Sequence, residues 1–251
     1  MNGEKGTLLV TGGSRGIGAA VARLAARQGY AVCINHRDSA PQAQQVLAEI
    51  VTAGGQGCVI QADIGREEEV QQLFRQLDQR GMAPLTALVN NAGMVAGVRQ
   101  PFMEMDPALI RRIIDVNLLG LFWCTQAAIG RMARSKGGAG GAIVHISSQA
   151  GTFGGRHIEA YAASKAAINT FTIGLAREMA REGIRINTVS PGVVASGTLA
   201  DAGDAELAQA AATIPLGRVA QPEEVAQAVL WLISEQAAYI TGIVLPVAGG
   251  R

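Results

Sequence analysis

Tyr161 and Lys165 stand four residues apart in the segment Tyr161-Ala-Ala-Ser-Lys165, which opens a stretch with helical periodicity. Four residues is close to one helical turn, so the phenol and the ammonium share a face and can converge on one ligand. A cation beside a phenol favours phenolate. Tyr161 is therefore expected below its ordinary value of about 10, able to give or take a proton near neutral pH. Ser148, thirteen residues before Tyr161, follows an apolar run that reads as a strand. A hydroxyl at that strand end can hold a carbonyl oxygen and stabilise charge developing on it. Ser147 is its neighbour and rival, but adjacent strand residues face opposite ways, so the two cannot both point at the same site. Together the three side chains suit proton exchange at a carbonyl or an alcohol.

A second constellation is Thr11-Gly12-Gly13-Ser14-Arg15-Gly16-Ile17-Gly18, between a strand-like run and a helical segment from Ala19 to Gln28. A glycine turn between a first strand and a first helix lets backbone approach a pyrophosphate, whose charge meets free N–H groups and the positive end of the helix dipole. Gly12 makes the turn, Gly16 admits the phosphates, and Gly18 allows close helix–strand packing. The spacing is G-x-x-x-G-x-G and no Gly-Lys-Ser/Thr follows, which disfavours an ATP-binding loop. At the end of the second strand, where an acid would hold the ribose of NAD, the chain reads Asn35-His36-Arg37. Arg37, joined by Arg15, would instead bond a 2′-phosphate, so NADP(H) is the expected cofactor. If the carboxylate of Asp38 faced the ribose in place of Arg37, that preference would weaken or reverse.

The elements that must carry these residues alternate. Strand-like runs fall at Leu8–Thr11, Ala31–Asn35, Gly57–Gln61, Ala87–Asn90, Ala142–Ser147, Arg185–Ser190 and Gly242–Val247. Amphipathic segments lie between them at Gln42–Thr52, Glu67–Gln79, Pro107–Arg134, Ala160–Glu182 and Pro222–Ser234. Such alternation builds a seven-stranded parallel sheet with helices on both faces, an α/β, doubly wound, Rossmann-like domain. No linker divides residues 1–251, so a single domain is expected, with Val193–Leu216 as a flap over the substrate. Glycine supplies 32 of 251 residues, nearly twice the usual share of about 7%, which calls for many tight turns. Hydrophobic residues at 49% can fill a large core, while a net charge of +1 and 4% aromatics suit neither nucleic acid nor an anionic membrane. Cys33, Cys58 and Cys124 are widely spaced, which fits a reducing compartment. With no signal-peptide pattern and no uninterrupted apolar run of membrane-spanning length, the expected location is cytoplasmic. His36, His145 and His157 are scattered, so no metal is expected.

In order and spacing, Thr11–Gly18, Asp63, Asn90-Asn91-Ala92-Gly93, Asn117, Ser148, Tyr161 with Lys165, and Pro191-Gly192 resemble the classical short-chain dehydrogenase/reductase family over nearly the whole chain. Within it the sequence looks like the NADP-preferring bacterial oxidoreductases and, more loosely, 3-oxoacyl-carrier-protein reductases and glucose dehydrogenases. The resemblance implies a strand order of 3-2-1-4-5-6-7 and a role for each matching residue. Ser14, Arg15 and Ile17 join the glycines in the cofactor set, as does Asn35 beside Arg37. Asp63 would hold the adenine amino group, and Ile64 beside it belongs to the cofactor set. Asn90, Ala92 and Gly93 would line the cofactor ribose. Asn117 would anchor a water in a proton relay from Tyr161 through the ribose and Lys165. Pro191, Gly192 and Val194 would edge the nicotinamide, and Ser196 stands where the family usually has threonine. The thirteen-residue offset selects Ser148 over Ser147. The implied activity is hydride transfer between NADP(H) and a small carbonyl or alcohol substrate, in a homotetramer built through Pro107–Arg134, Ala160–Glu182 and the last strand. Substrate specificity would come from Met94–Val98, Gln149–His157 and Val193–Leu216. The alternative is a non-catalytic NADP(H)-binding sensor or scaffold, though a pure binding module has no use for a tuned phenol.

Overall fold

The computed structural model of the protein describes residues 4–95, 101–196, 199 and 203–251. Seven parallel strands form one sheet: β1 (Thr7–Val10), β2 (Ala31–His36), β3 (Gln56–Gln61), β4 (Leu85–Asn90), β5 (Gly141–Ile146), β6 (Ile184–Pro191) and β7 (Val244–Val247). They lie in the order β3-β2-β1-β4-β5-β6-β7. The middle strands are buried on both faces and read as unbroken apolar runs, as in β1 and β2, where every residue is buried. Edge strand β3 instead alternates between exposed and buried positions.

Helices α1 (Gly16–Arg27), α2 (Ala40–Thr52) and α9 (Pro222–Ile233) cover one face with Val21, Val46, Ile50, Val229 and Leu232. The other face carries α3 (Glu67–Gln79), α5 (Gly120–Met132) and α7 (Glu159–Met179). The α3 stripe of Val70, Leu73, Phe74 and Leu77 is fully used in that core. Short α6 (Ala150–Phe153) and α8 (Asp204–Ala211) are elements that periodicity did not reveal, because one or two turns are too few to display it.

The expected helix Pro107–Arg134 is two helices joined by a wider turn. Helix α4 (Pro107–Ile114) starts at Asp106, whose side chain accepts from the Ala108 N–H, with Pro107 in its first turn. A π turn, Asp115–Leu119, then separates it from α5. Such turns shift the register of the following side chains and gather at functional sites. By length and composition Pro107–Met132 could cross a membrane. Its apolar residues are used inside the fold instead: Cys124, Ala128 and Met132 pack in the core under the sheet, Ile113 packs against Met105 and Ala160, and Leu121 is buried too.

Parallel strands put every carboxyl end on one edge of the sheet. Since β1 lies between β2 and β4, consecutive crossovers diverge there and leave a crevice at the strand ends, where α/β proteins hold ligands.

Candidate active site

The chain turns sharply after β1. Gly12 and Gly16 have φ of 62° and 54°, the region that favours glycine. A side chain at Gly12 would strike Ala92, and one at Gly16 would meet Ser196. Gly18 packs against the Gly12 carbonyl and the Asn91 amide. The outcome is bare backbone at the N-terminus of α1, where free N–H groups and a positive dipole end fit a pyrophosphate. Ser14 is buried in this turn and Arg15 is exposed on it. The Ile17 side chain packs into the core, leaving its backbone to the cradle.

Along the β2 and β3 ends the residues divide between structure and recognition. Asn35 is buried, donating to the Ala62 carbonyl at 3.0 Å and lying 3.4 Å from the Gly12 N–H, so its amide braces the turn from below. Arg37 stands exposed above it and pairs with Asp38, Nη2 to Oδ2 at 2.5 Å. That contact holds the Asp38 carboxyl below its ordinary range and the guanidinium above its own. Asp63 accepts from the Gly65 N–H at 3.0 Å and from Arg112 on α4 at 2.5 Å. Ile64 is a core residue whose backbone packs against Gly120.

Ser148, Tyr161, Lys165 and Asn117 gather at the ends of β4 and β5. Lys165 is 4% exposed, donates to the Ile146 carbonyl at 2.7 Å and lies 5.6 Å from the centre of the Tyr161 ring. The Ser148 hydroxyl accepts from the Ala150 N–H at 3.1 Å and stands near enough to the Tyr161 phenol to favour its ionised form in part. Ser147 is buried and donates to the Lys165 carbonyl at 3.0 Å, which ties β5 to α7. Asn117, inside the π turn, accepts from the Met94 N–H at 2.8 Å and donates to the Met94 carbonyl and to Ser164 Oγ. Its side chain therefore pins the segment that follows β4. Gly93 packs between the Asn117 amide and the Lys165 ammonium.

One expectation from spacing is corrected. Tyr161 is not pulled down by Lys165; burial pushes it above its ordinary value, and the Ser148 hydroxyl offsets this only in part. The reason is that α7 carries both groups into the same dry place. Burial also pushes Lys165 down to about 8, and its ammonium is turned toward the Ile146 carbonyl.

A family model described as enoyl-(acyl carrier protein) reductase matches residues 12–251. Oxidoreductase YgfF of Escherichia coli (strain K12), itself termed uncharacterized, is 44% identical over 246 residues, covering 97% of this chain and 98% of the relative. The chain belongs to the short-chain dehydrogenase/reductase family. A 3-oxoacyl-[acyl-carrier-protein] reductase of Synechocystis is 38% identical over 96% of this chain and 95% of the relative. A crystal structure of a dehydrogenase/reductase from Sinorhizobium meliloti 1021 superposes with a TM-score of 0.89 at 34% identity, covering 100% of this chain and 95% of that one.

For this short-chain dehydrogenase/reductase the remaining expected positions fall at the rim of the same crevice. Pro191 ends β6 and its carbonyl accepts from the Gln149 N–H, while the Gly192 N–H donates to Val247. Val194 bridges to Ala220, and Ser196 faces Gly16 across the phosphate turn. Residues 96–98 of the expected pocket and 197, 198 and 200–202 of the expected flap lie outside the described residues.

Around the site, bonds that spacing does not state tie the strand ends together. Asn91 donates from its amide to the Thr11 and Gly12 carbonyls, both at 2.9 Å, and Thr11 Oγ1 accepts from the Asn91 and Ala92 N–H groups. Its neighbour Asn90 is buried, with Nδ2 bonding Thr125 Oγ1 at 2.9 Å and His145 Nδ1 at 3.1 Å. Since that amide nitrogen is a donor, Nδ1 accepts and His145 carries its proton on Nε2, which is buried without a partner among the described residues. Gln149 donates to Ser190 O and Oγ, fastening the Ser148 turn to β6. A sequence signal existed for Asn91, inside Asn90–Gly93. Arg112 had none, being one of two adjacent arginines on a helix.

Proposed function

We propose that the chain transfers hydride between NADP(H) and a carbonyl or alcohol carbon, with Tyr161 as the general acid or base. The observation carrying this reading is the buried Lys165 ammonium held by the Ile146 carbonyl 5.6 Å from the Tyr161 ring, at the strand end that carries Ser148. Residues 1–251 act in it as one cofactor-binding and catalytic unit. The glycine-rich turn at Gly12–Gly18 would take the pyrophosphate, Asp63 the adenine amino group, and Arg37 with Arg15 the 2′-phosphate. Arg37's pairing with Asp38 is exposed and weak, so a phosphate carrying nearly two charges competes well for the guanidinium. Bound nicotinamide supplies or accepts the hydride. Ser148 holds the substrate oxygen and orients the phenol. A phenol kept protonated by burial is a proton donor, which favours carbonyl reduction. Lys165, fixed by the Ile146 carbonyl, keeps N–H donors for the cofactor ribose. Asn117 holds Met94, and with it the end of β4, against Ser164 and thus against the turn of α7 that carries Tyr161.

The three buried thiols, Cys33, Cys58 and Cys124, support a cytoplasmic setting. Relatives that are 3-oxoacyl-carrier-protein reductases make β-ketoacyl thioesters the first substrates to try. The test is NADPH and NADH oxidation against a panel of ketones, aldehydes, quinones, sugars and β-ketoacyl thioesters. Tyr161→Phe is expected to lower kcat by about a hundredfold or more while NADPH fluorescence titration is unchanged. A near-normal rate in the variant overturns the mechanism. NADPH binding without reduction of any panel member would favour the sensor reading.

A further inference from the structure

Asp63 is held more firmly than a surface carboxylate. Its N–H donates to Glu69 Oε2 at 2.7 Å, its Oδ1 accepts from Gly65, and its Oδ2 accepts from Arg112 Nη2 at 2.5 Å. The side chains of the pair are only 15% and 28% exposed, so the contact is shielded from solvent on most sides. Space for the guanidinium comes from Gly65: a side chain there would collide with Arg112 Nη1 and stand 3.0 Å from Val116 Cγ2. A carboxylate has about four acceptor positions, and the two contacts leave others free. Arg112 lies on α4, five residues before Asn117 in the π turn that follows, so α4 and its π turn together reach from Asp63 toward Met94 and Ser164.

We propose that Arg112 is a positioning residue for the cofactor's adenine: its guanidinium fixes the Asp63 carboxylate so that a free lone pair accepts from the 6-amino group. This rests on the reading of Asp63 given above. A bond from one amino N–H to a fixed carboxylate is lost when that group is replaced by oxygen, and two acceptors then face each other. The wild type should thus bind NADPH about tenfold more tightly than the deaminated analogue, which carries hypoxanthine for adenine.

The test is fluorescence titration of both dinucleotides, whose nicotinamide emission is the same, with wild type, Arg112→Met and Arg112→Lys. Arg112→Met should weaken NADPH about tenfold, leave the analogue nearly unchanged and bring the ratio close to one. Arg112→Lys keeps the charge without the fork and should give an intermediate ratio; it serves alone if Arg112→Met does not fold. A ratio kept at the wild-type value in the variants, with both ligands weakened equally, would make Arg112 a mere strut and overturn the proposal. A wild-type ratio near one would remove the Asp63 reading itself and this proposal with it, a failure visible before any variant is made.

Discussion

Lys165 and His145 are both buried, and the Lys165 charge disfavours a proton on His145. Lys165 is pushed down to about 8 by burial. His145 is pushed down to about 3 by burial first and by Lys165 second. His145 is therefore neutral in the folded protein at any ordinary pH, consistent with an Nδ1 that accepts from Asn90. Unfolded, it would take up a proton near its ordinary 6.5, so the unfolded chain binds more protons between about 6.5 and 3. Stability contributed by the neutral imidazole is whole above that window and is lost as pH falls through it, by up to about 1.4 kcal/mol per unit. Urea midpoints measured from pH 7 to pH 4 should fall steeply in the wild type and less steeply in His145→Gln. Equal slopes would show that His145 does not control the acid limb.

At the scale of elements, the site depends on how strand ends are tied to one another. Asn91, after β4, holds the carbonyls of Thr11 and Gly12, after β1, and Ser147 ties β5 to α7. The phosphate turn thus borrows its rigidity from a neighbouring strand, because glycine-rich backbone has little of its own. Asn91→Ala leaves two carbonyls without their donor and should cost about 2 kcal/mol, or roughly 4–8 °C in Tm. NADPH affinity should fall as well, because the loosened turn must be ordered on binding. Calorimetry with and without NADPH checks both, and an unchanged Tm would mean that the turn holds itself. The same scale explains the divided helix at Asn117. Periodicity shows that apolar residues recur, but a single π turn shifts them by one position, and the tertiary bonds of Asn117 to Met94 and Ser164 decide where it falls.

Across the whole molecule, the sheet ends on β7, four mostly apolar residues that are only partly buried although they form an edge. An apolar edge strand is a liability unless something covers it. Phe102, Met103, Phe153 and Leu216 are also more than half exposed. A homotetramer that covers β7 and the outer faces of α5 and α7 is the expected arrangement. Light scattering at micromolar concentration should give about four times the 26.0 kDa chain mass. A mass of one chain would rule the assembly out.

Much of this was legible without coordinates. Strand and helix order, and hence the parallel sheet, follow from apolar periodicity, a local property of the chain. The positions of Gly12, Gly16, Ser148, Tyr161 and Lys165 at strand ends and on one helix face follow from spacing. Tertiary structure alone decided which side chains are engaged and how they are charged. Asn35 and Asn117 are also engaged by neighbouring backbone, which spacing does not state, and Arg112 meets Asp63 across 49 residues. Tyr161 was expected to be made acidic by its neighbour and is instead raised. Spacing states how far apart two groups are, whereas a pKa also depends on how much water surrounds them, and only the packed molecule determines that.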